Sequence, residues 1–213
     1  MSTLRADLDA AVSAVLAEMG GANEAREIAL AACRRVIRAS GSSIRAVHRH
    51  LPDQAEALLG EARAALREAQ AAVEPFPLVQ YAGFLHDAEK EYAEACLTRD
   101  LIAGSPLAGP EALGVDGRSW MKGLAEAASE LRRHLLDRLR EGDLADGERL
   151  LGVMVEVYDG LMVVDFPDAI TAGLRRTLDQ LRAVLERSRG DVTTTVVQER
   201  LRRAVEAASQ QQR

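Results

Sequence analysis

Aromatic side chains are scarce in this chain: Phe, Tyr and Trp make up 3% of 213 residues. No segment shows the alternating apolar–polar pattern of a half-buried strand. Cysteine is nearly absent too. Cys33 and Cys96 stand far apart without CxxC spacing, which argues against a disulfide framework or a thiolate metal site and points to reduced thiols in a cytoplasmic protein. No apolar run approaches the roughly 18 residues of a membrane span, and the opening Met-Ser-Thr-Leu-Arg-Ala-Asp lacks the pattern of a secretory leader. The chain has no GxxxxGK[ST] loop, no GxGxxG and no GxSxG elbow. A di-iron bundle is disfavoured as well, because Glu-x-x-His occurs nowhere. Lysine is the last shortage. Of 27 basic residues only Lys90 and Lys122 are lysine.

What is present is helix-forming. Ala, Leu, Arg and Glu dominate, hydrophobic residues reach 47% and charged residues 28%, so the expected fold is an all-α, seven- to eight-helix bundle. Length favours a single domain spanning 1–213. A first helix is expected over 3–19, ending at Gly20-Gly21, and a second from about Asn23 to Leu51, loosened around Ser40-Gly41-Ser42. Pro52-Asp53 opens a third, which Pro75 and Pro77 close. A fourth carries the stretch Gly83–Thr98, and Ser105–Pro110 is a loop. Asp116 caps a fifth helix that stops at Gly142. A sixth covers 150–164 and a seventh about 168–189, and beyond Gly190 a last helix over 191–208 is a further element. The net charge of −6 gives no general attraction to nucleic acid, so any such site must be a local patch.

Two stretches concentrate charge. On the fourth helix Asp87, Glu91 and Glu94 fall on one face at i, i+4 and i+7. Leu85, Ala88, Tyr92 and Ala95 fall on a neighbouring face and can enter a core. Glu91 has no cation three or four residues away, and Glu94 has only Lys90, in the weaker orientation. Such a face is either solvated or supplied with positive charge from elsewhere. Between Arg34 and His50 the sequence holds five arginines, two histidines and no acid. Arg34, Arg38, Arg45 and Arg49 align on a continuous helix, a stripe suited to phosphate contacts, to solubility, or to answering the acidic helix. No aromatic residue interleaves, so base stacking is not indicated. Asp159 sits within the apolar sixth helix with no cation at three or four residues. A buried charge there needs a tertiary partner or an ion. Glu130 is a secondary candidate, with Arg133 and His134 within reach.

These segments resemble the translin family, in particular its factor X branch. Ser43-Ile-Arg-Ala-Val-His-Arg-His50 resembles the family's arginine-containing helix, and Glu91-Tyr-Ala-Glu94-Ala resembles the factor X motif Glu-Tyr-Val-Glu-Ala. Gly123-Leu-Ala-Glu-Ala-Ala-Ser-Glu-Leu131 is similar to the family's glycine-to-Glu-Leu helix, with Glu141-Gly-Asp143 as its following turn, and Val157-Tyr-Asp-Gly160 resembles a further factor X motif. The likeness runs in order over residues 24–190. It implies a Mg²⁺- or Mn²⁺-dependent endoribonuclease acting on RNA, single-stranded rather than duplex. Glu91, Glu94 and Asp159 are then the metal and catalytic residues, and Arg34, Arg38, Arg45, Arg49 and His48 the RNA-binding ones. It also implies a closed homo-oligomer larger than a dimer. The stripe Val196, Val197, Leu201 and Val205 fits that assembly, since a small bundle cannot bury it together with Leu174, Leu178, Leu181 and Leu185. The alternatives are a non-catalytic translin-like binder of single-stranded RNA or DNA, and a structural oligomer whose carboxylates face water. The acidic Ala82–Lys90 stands where translin proper has a basic segment, which argues against the pure binder.

Overall fold

The structure, a computed structural model, describes residues 2–211, and among these all the regular structure is helical, without a strand. The elements are α1 (Ser2–His48), α2 (Pro52–Val73), α3 (Pro77–Gln80), α4 (Phe84–Ala103), α5 (Pro110–Leu113), α6 (Gly117–Glu141), α7 (Leu144–Met162), α8 (Asp168–Thr171) and α9 (Leu174–Gln211). α3, α5 and α8 are single turns, so six long helices build the bundle. None is long and apolar enough to cross a membrane.

The helix ends follow local chemistry. Asp116 accepts from the Arg118 backbone N–H at 2.8 Å and so caps α6, which stops at the left-handed Gly142. Asp143 does the same for α7 through the Asp146 N–H. Pro52 and Pro77 occupy first turns, where a missing N–H costs nothing. α4 begins after Gly83, whose φ of 98° suits glycine alone.

α4 is the central helix. It packs on α1 and α2 on one side and α6 on the other, while α7 and α9 close over α6. From Tyr92 to Thr98 every residue of α4 is buried, the signature of a helix covered all round. The expected core face of Leu85, Ala88, Tyr92 and Ala95 is buried as read, and Tyr92 also accepts a hydrogen bond from Arg63 Nε at 3.0 Å. Cys33 and Cys96 are free and buried.

Two expected breaks are absent. α1 continues through Gly20-Gly21 and Ser40-Gly41-Ser42 as one helix of 47 residues. A glycine inside a helix costs only about 1 kcal/mol relative to alanine, and Gly21 provides the space that Phe76 fills. α9 likewise passes through Gly190, so 191–208 is the continuation of a long helix. Arg132 of α6 bridges that point, donating to Ser188 Oγ at 3.1 Å and pairing with Asp191 at 2.7 Å. Both long helices overhang the bundle. Leu4, Leu8, Val12, Val15, Leu16 and Met19 at one end, and Val197, Leu201 and Val205 at the other, stay exposed. Leu174, Leu178, Leu181 and Leu185 are buried within the subunit.

Candidate metal centre

A close approach of α6 to the α4 backbone places three carboxylates together. A Cβ added to Gly123 of α6 would lie 2.9 Å from the Lys90 carbonyl oxygen, the Glu94 nitrogen and the Ala93 Cβ of α4. Only a residue without a side chain lets α6 lie this near the α4 backbone. Glu126, one turn beyond Gly123, is thereby brought beside Glu91 and Glu94, and one carboxylate oxygen from each lies within 4.8 Å of the others. Buried polar contacts hold the two helices in register. Buried Glu89 accepts from Gln70 Nε2 at 2.8 Å and from the Asp116 N–H at 3.2 Å, and it lies 3.2 Å from Ser119 Oγ. On the far side, His48 Nε2 of α1 lies 2.9 Å from Glu130 Oε2 of α6.

Two carboxylate charges 4.8 Å apart repel by about 3.5 kcal/mol at an effective dielectric of ~20. The site relieves that repulsion in two ways. Lys90 Nζ sits 2.9 Å from Glu91 Oε1 and 2.5 Å from Glu126 Oε2. Glu94, 9% exposed, takes up a proton readily: burial and the nearby Glu126 and Glu91 push its carboxyl up to about 8. Burial alone would depress the Lys90 ammonium, yet its hydrogen bonds to Glu126 and Glu91 hold it above its ordinary range.

The donor set fits a hard divalent cation. An octahedral Mg²⁺ site with bonds of roughly 2.1 Å spans about 4.2 Å between opposite oxygens, close to the spread of these three. All-oxygen ligation selects Mg²⁺ or Mn²⁺ over softer metals.

Of the three carboxylates singled out in the sequence, the structure brings Glu91 and Glu94 together, with Glu126 beside them, and leaves Asp159 apart. Asp159 is exposed on α7 and is not among the residues brought together. It shares a solvent face with Gly152, Glu156 and Val163, so the apolar character of that helix belongs to its other side. Glu126, which joins them, is not among the residues that the sequence singles out. Its signal was the spacing of three from Gly123, a glycine inside a good helix. Glu130 lies one turn further along α6 and is answered by His48 across helices, not by Arg133 or His134. His48 is therefore no surface cation: its side chain is 2% exposed. Arg34, Arg38, Arg45 and Arg49 are all exposed. Ion pairs on α1 fall on Arg5, Arg26, Arg35 and His48, and the four stripe arginines carry none among the described residues.

No family model matches the chain. Over 124 residues it is 28% identical to an uncharacterized protein of Methanocaldococcus jannaschii, a match covering 58% of this chain and 55% of that protein, so the chain spans about half the length of this relative. Among solved structures, AfC3PO in complex with duplex RNA superposes with a TM-score of 0.80 at 31% identity, covering 87% of this chain and 96% of that one. AfC3PO alone gives a TM-score of 0.76 at 30% identity, with 87% and 97% covered. Apo-NeC3PO shares the fold, with a TM-score of 0.77 at 18% identity over 86% and 96% of the two chains. With AfC3PO matched at 30% identity or more over nearly its whole length, the chain belongs to the translin/C3PO family.

Proposed function

We propose that this protein is a metal-dependent endoribonuclease of the factor X type, with its ion held by Glu91, Glu94 and Glu126. The observation that carries the reading is the convergence of these three carboxylates across the α4–α6 contact, with Glu94 buried among them. The family relative solved with duplex RNA supports RNA as the substrate class and makes duplex RNA a substrate to test beside the single strands that the resemblance implies. A bound Mg²⁺ or Mn²⁺ supplies a water of lowered pKa and neutralises charge developing on the phosphate. The residues of the chain do the rest. Glu91, Glu94 and Glu126 position the ion, Gly123 fixes the spacing of their helices, and His48 holds Glu130 in place behind them. The exposed Arg34, Arg38, Arg45 and Arg49 contact backbone phosphates, which serves affinity more than sequence.

Assembly belongs to the same proposal. Apolar stripes on the overhanging ends of α1 and α9 are left without partners in the subunit, as expected of a homo-oligomer larger than a dimer. Light scattering that found a monomer at micromolar concentration would remove this part.

The deciding experiment is cleavage of single-stranded and duplex RNA with Mg²⁺, with Mn²⁺ and with EDTA. Glu91→Gln, Glu94→Gln and Glu126→Gln should each lower the rate by 100-fold or more, on the order of the loss when a metal is no longer positioned. Asp159→Asn tests the other third carboxylate and should retain activity. Activity that survives EDTA, or survives the three Gln substitutions, leaves the translin-like binder as the reading. Lys90, which already neutralises two of the carboxylates, is what speaks for that alternative.

A further inference from the structure

One of the chain's two lysines sits inside its carboxylate cluster. Lys90 extends from α4 to α6, its Nζ 2.9 Å from Glu91 Oε1 and 2.5 Å from Glu126 Oε2, with its side chain only 14% exposed. It joins two of the three residues that converge, so the ammonium lies where a cation is wanted most. The residue type also matters. The chain uses arginine for nearly all its positive charge, yet here it uses lysine. An ammonium is a compact point charge on a flexible four-carbon stem, whereas a guanidinium is a wide, planar fork that pairs in a fixed plane. The first can fill a space of ionic size and leave it by rotation of its stem; the second fits such a space poorly.

We propose that Lys90 is a displaceable internal cation, which holds the Glu91/Glu94/Glu126 cluster together without metal and must be expelled when a divalent ion binds. The inference rests on the reading of this cluster as an ion centre. Loading the site is then an exchange of one cation for another. The metal-free protein avoids bare carboxylate repulsion, and the ion binds more weakly than it would to the same ligands alone. Lys90 thus sets the divalent-ion concentration at which the site fills. Lys122, one turn before Glu126 on the same helix, has no ion pair among the described residues and serves as a control for general charge.

The test is titration calorimetry with Mn²⁺ at one fixed pH, paired with thermal unfolding in EDTA and in saturating Mn²⁺. Lys90→Met keeps the length of the stem and removes the charge. It should bind Mn²⁺ at least about tenfold tighter than the unsubstituted protein. It should also unfold at lower temperature in EDTA and recover in Mn²⁺. Lys90→Gln, a smaller polar replacement, should tighten binding in the same direction and covers the case in which Lys90→Met does not fold. Lys90→Arg keeps the charge and should bind no tighter than the unsubstituted protein. Lys122→Met should change affinity by less than about threefold, as for a partly exposed charge that touches no member of the cluster. If the unsubstituted protein binds Mn²⁺ and the neutral Lys90 variants bind no tighter, the ion centre stands and the displacement role is overturned. If no variant binds Mn²⁺, the ion centre itself fails and takes this inference with it.

Discussion

Like charges gather twice in this protein, and the two gatherings are built in opposite ways. The carboxylates of α4 and α6 are drawn together where Gly123 lets α6 lie against the α4 backbone. The arginines of α1 are spread along an exposed face and left to solvent. Solvent makes the second arrangement cheap, since exposed charges interact by about 1 kcal/mol or less. Packing must sustain the first. Leu97 of α4 and Leu131 and Leu135 of α6 are fully buried, and each contributes roughly 1.5–3 kcal/mol, enough together to outweigh repulsion of a few kcal/mol. A cluster held against its own repulsion is poised for a cation; a stripe that costs nothing to maintain is poised for a diffuse, polyanionic surface.

The largest effect is expected at Gly123. Gly123→Ala gains about 1 kcal/mol of helix propensity but forces a Cβ to within 2.9 Å of two backbone atoms of α4. Overpacking of that kind costs about 1–3 kcal/mol, and backbone yields less than a side chain. Net destabilisation is therefore expected, with loss of Mn²⁺ binding as Glu126 withdraws. Gly60→Ala on α2, where nothing lies within 4 Å of the added Cβ, should stabilise by up to about 1 kcal/mol. Equal behaviour of the two variants in urea unfolding would break the contrast.

Protonation gives the next effect. Glu94 titrates near 8 in the folded protein against an ordinary 4.5. The folded state therefore binds more protons than the unfolded one between those values, and stability from this group falls as pH rises through that window. In EDTA the melting temperature of Glu94→Gln should exceed that of the unsubstituted protein by a margin that grows from pH 5 to pH 9. Saturating Mg²⁺ binds the charged carboxylate and should shrink the margin. A margin independent of pH would show that Glu94 does not carry the repulsion.

The arginine stripe should show the smallest change in stability. Arg38→Ala with Arg45→Ala should shift unfolding by no more than about 0.5 kcal/mol for each exposed site. The same pair should weaken RNA binding alike across sequences, and flatten its salt dependence by roughly 0.7 in log–log slope per lost contact on single strands. Unchanged binding would assign these residues to solubility.

Much of this contrast could be read from spacing along one helix. The i, i+4, i+7 placement of Asp87, Glu91 and Glu94 and the alignment of the arginines need only the helical repeat. The cluster's third member needed more. Whether Glu126 or Asp159 meets Glu91 depends on how α6 and α7 are rotated about their own axes, and long-range packing sets that rotation. The apolar sequence around Asp159 suggests a buried charge, yet Asp159 is exposed, because Val163 places an apolar residue on that same solvent face (79% exposed). His48 misled because its basic neighbours face solvent while it turns inward to Glu130. Gly20-Gly21 and Gly190 were read as ends because glycine weakens a helix locally; their flanking turns are good enough helix formers to carry the chain through.

Crystals soaked in Mn²⁺ and measured for anomalous scattering test most directly whether one divalent ion sits between α4 and α6. A single strong peak within bonding distance of Glu91, Glu94 and Glu126, with Lys90 turned away from it, is the predicted result. A peak on Asp159, or no peak at the α4–α6 contact at saturating Mn²⁺, would contradict it.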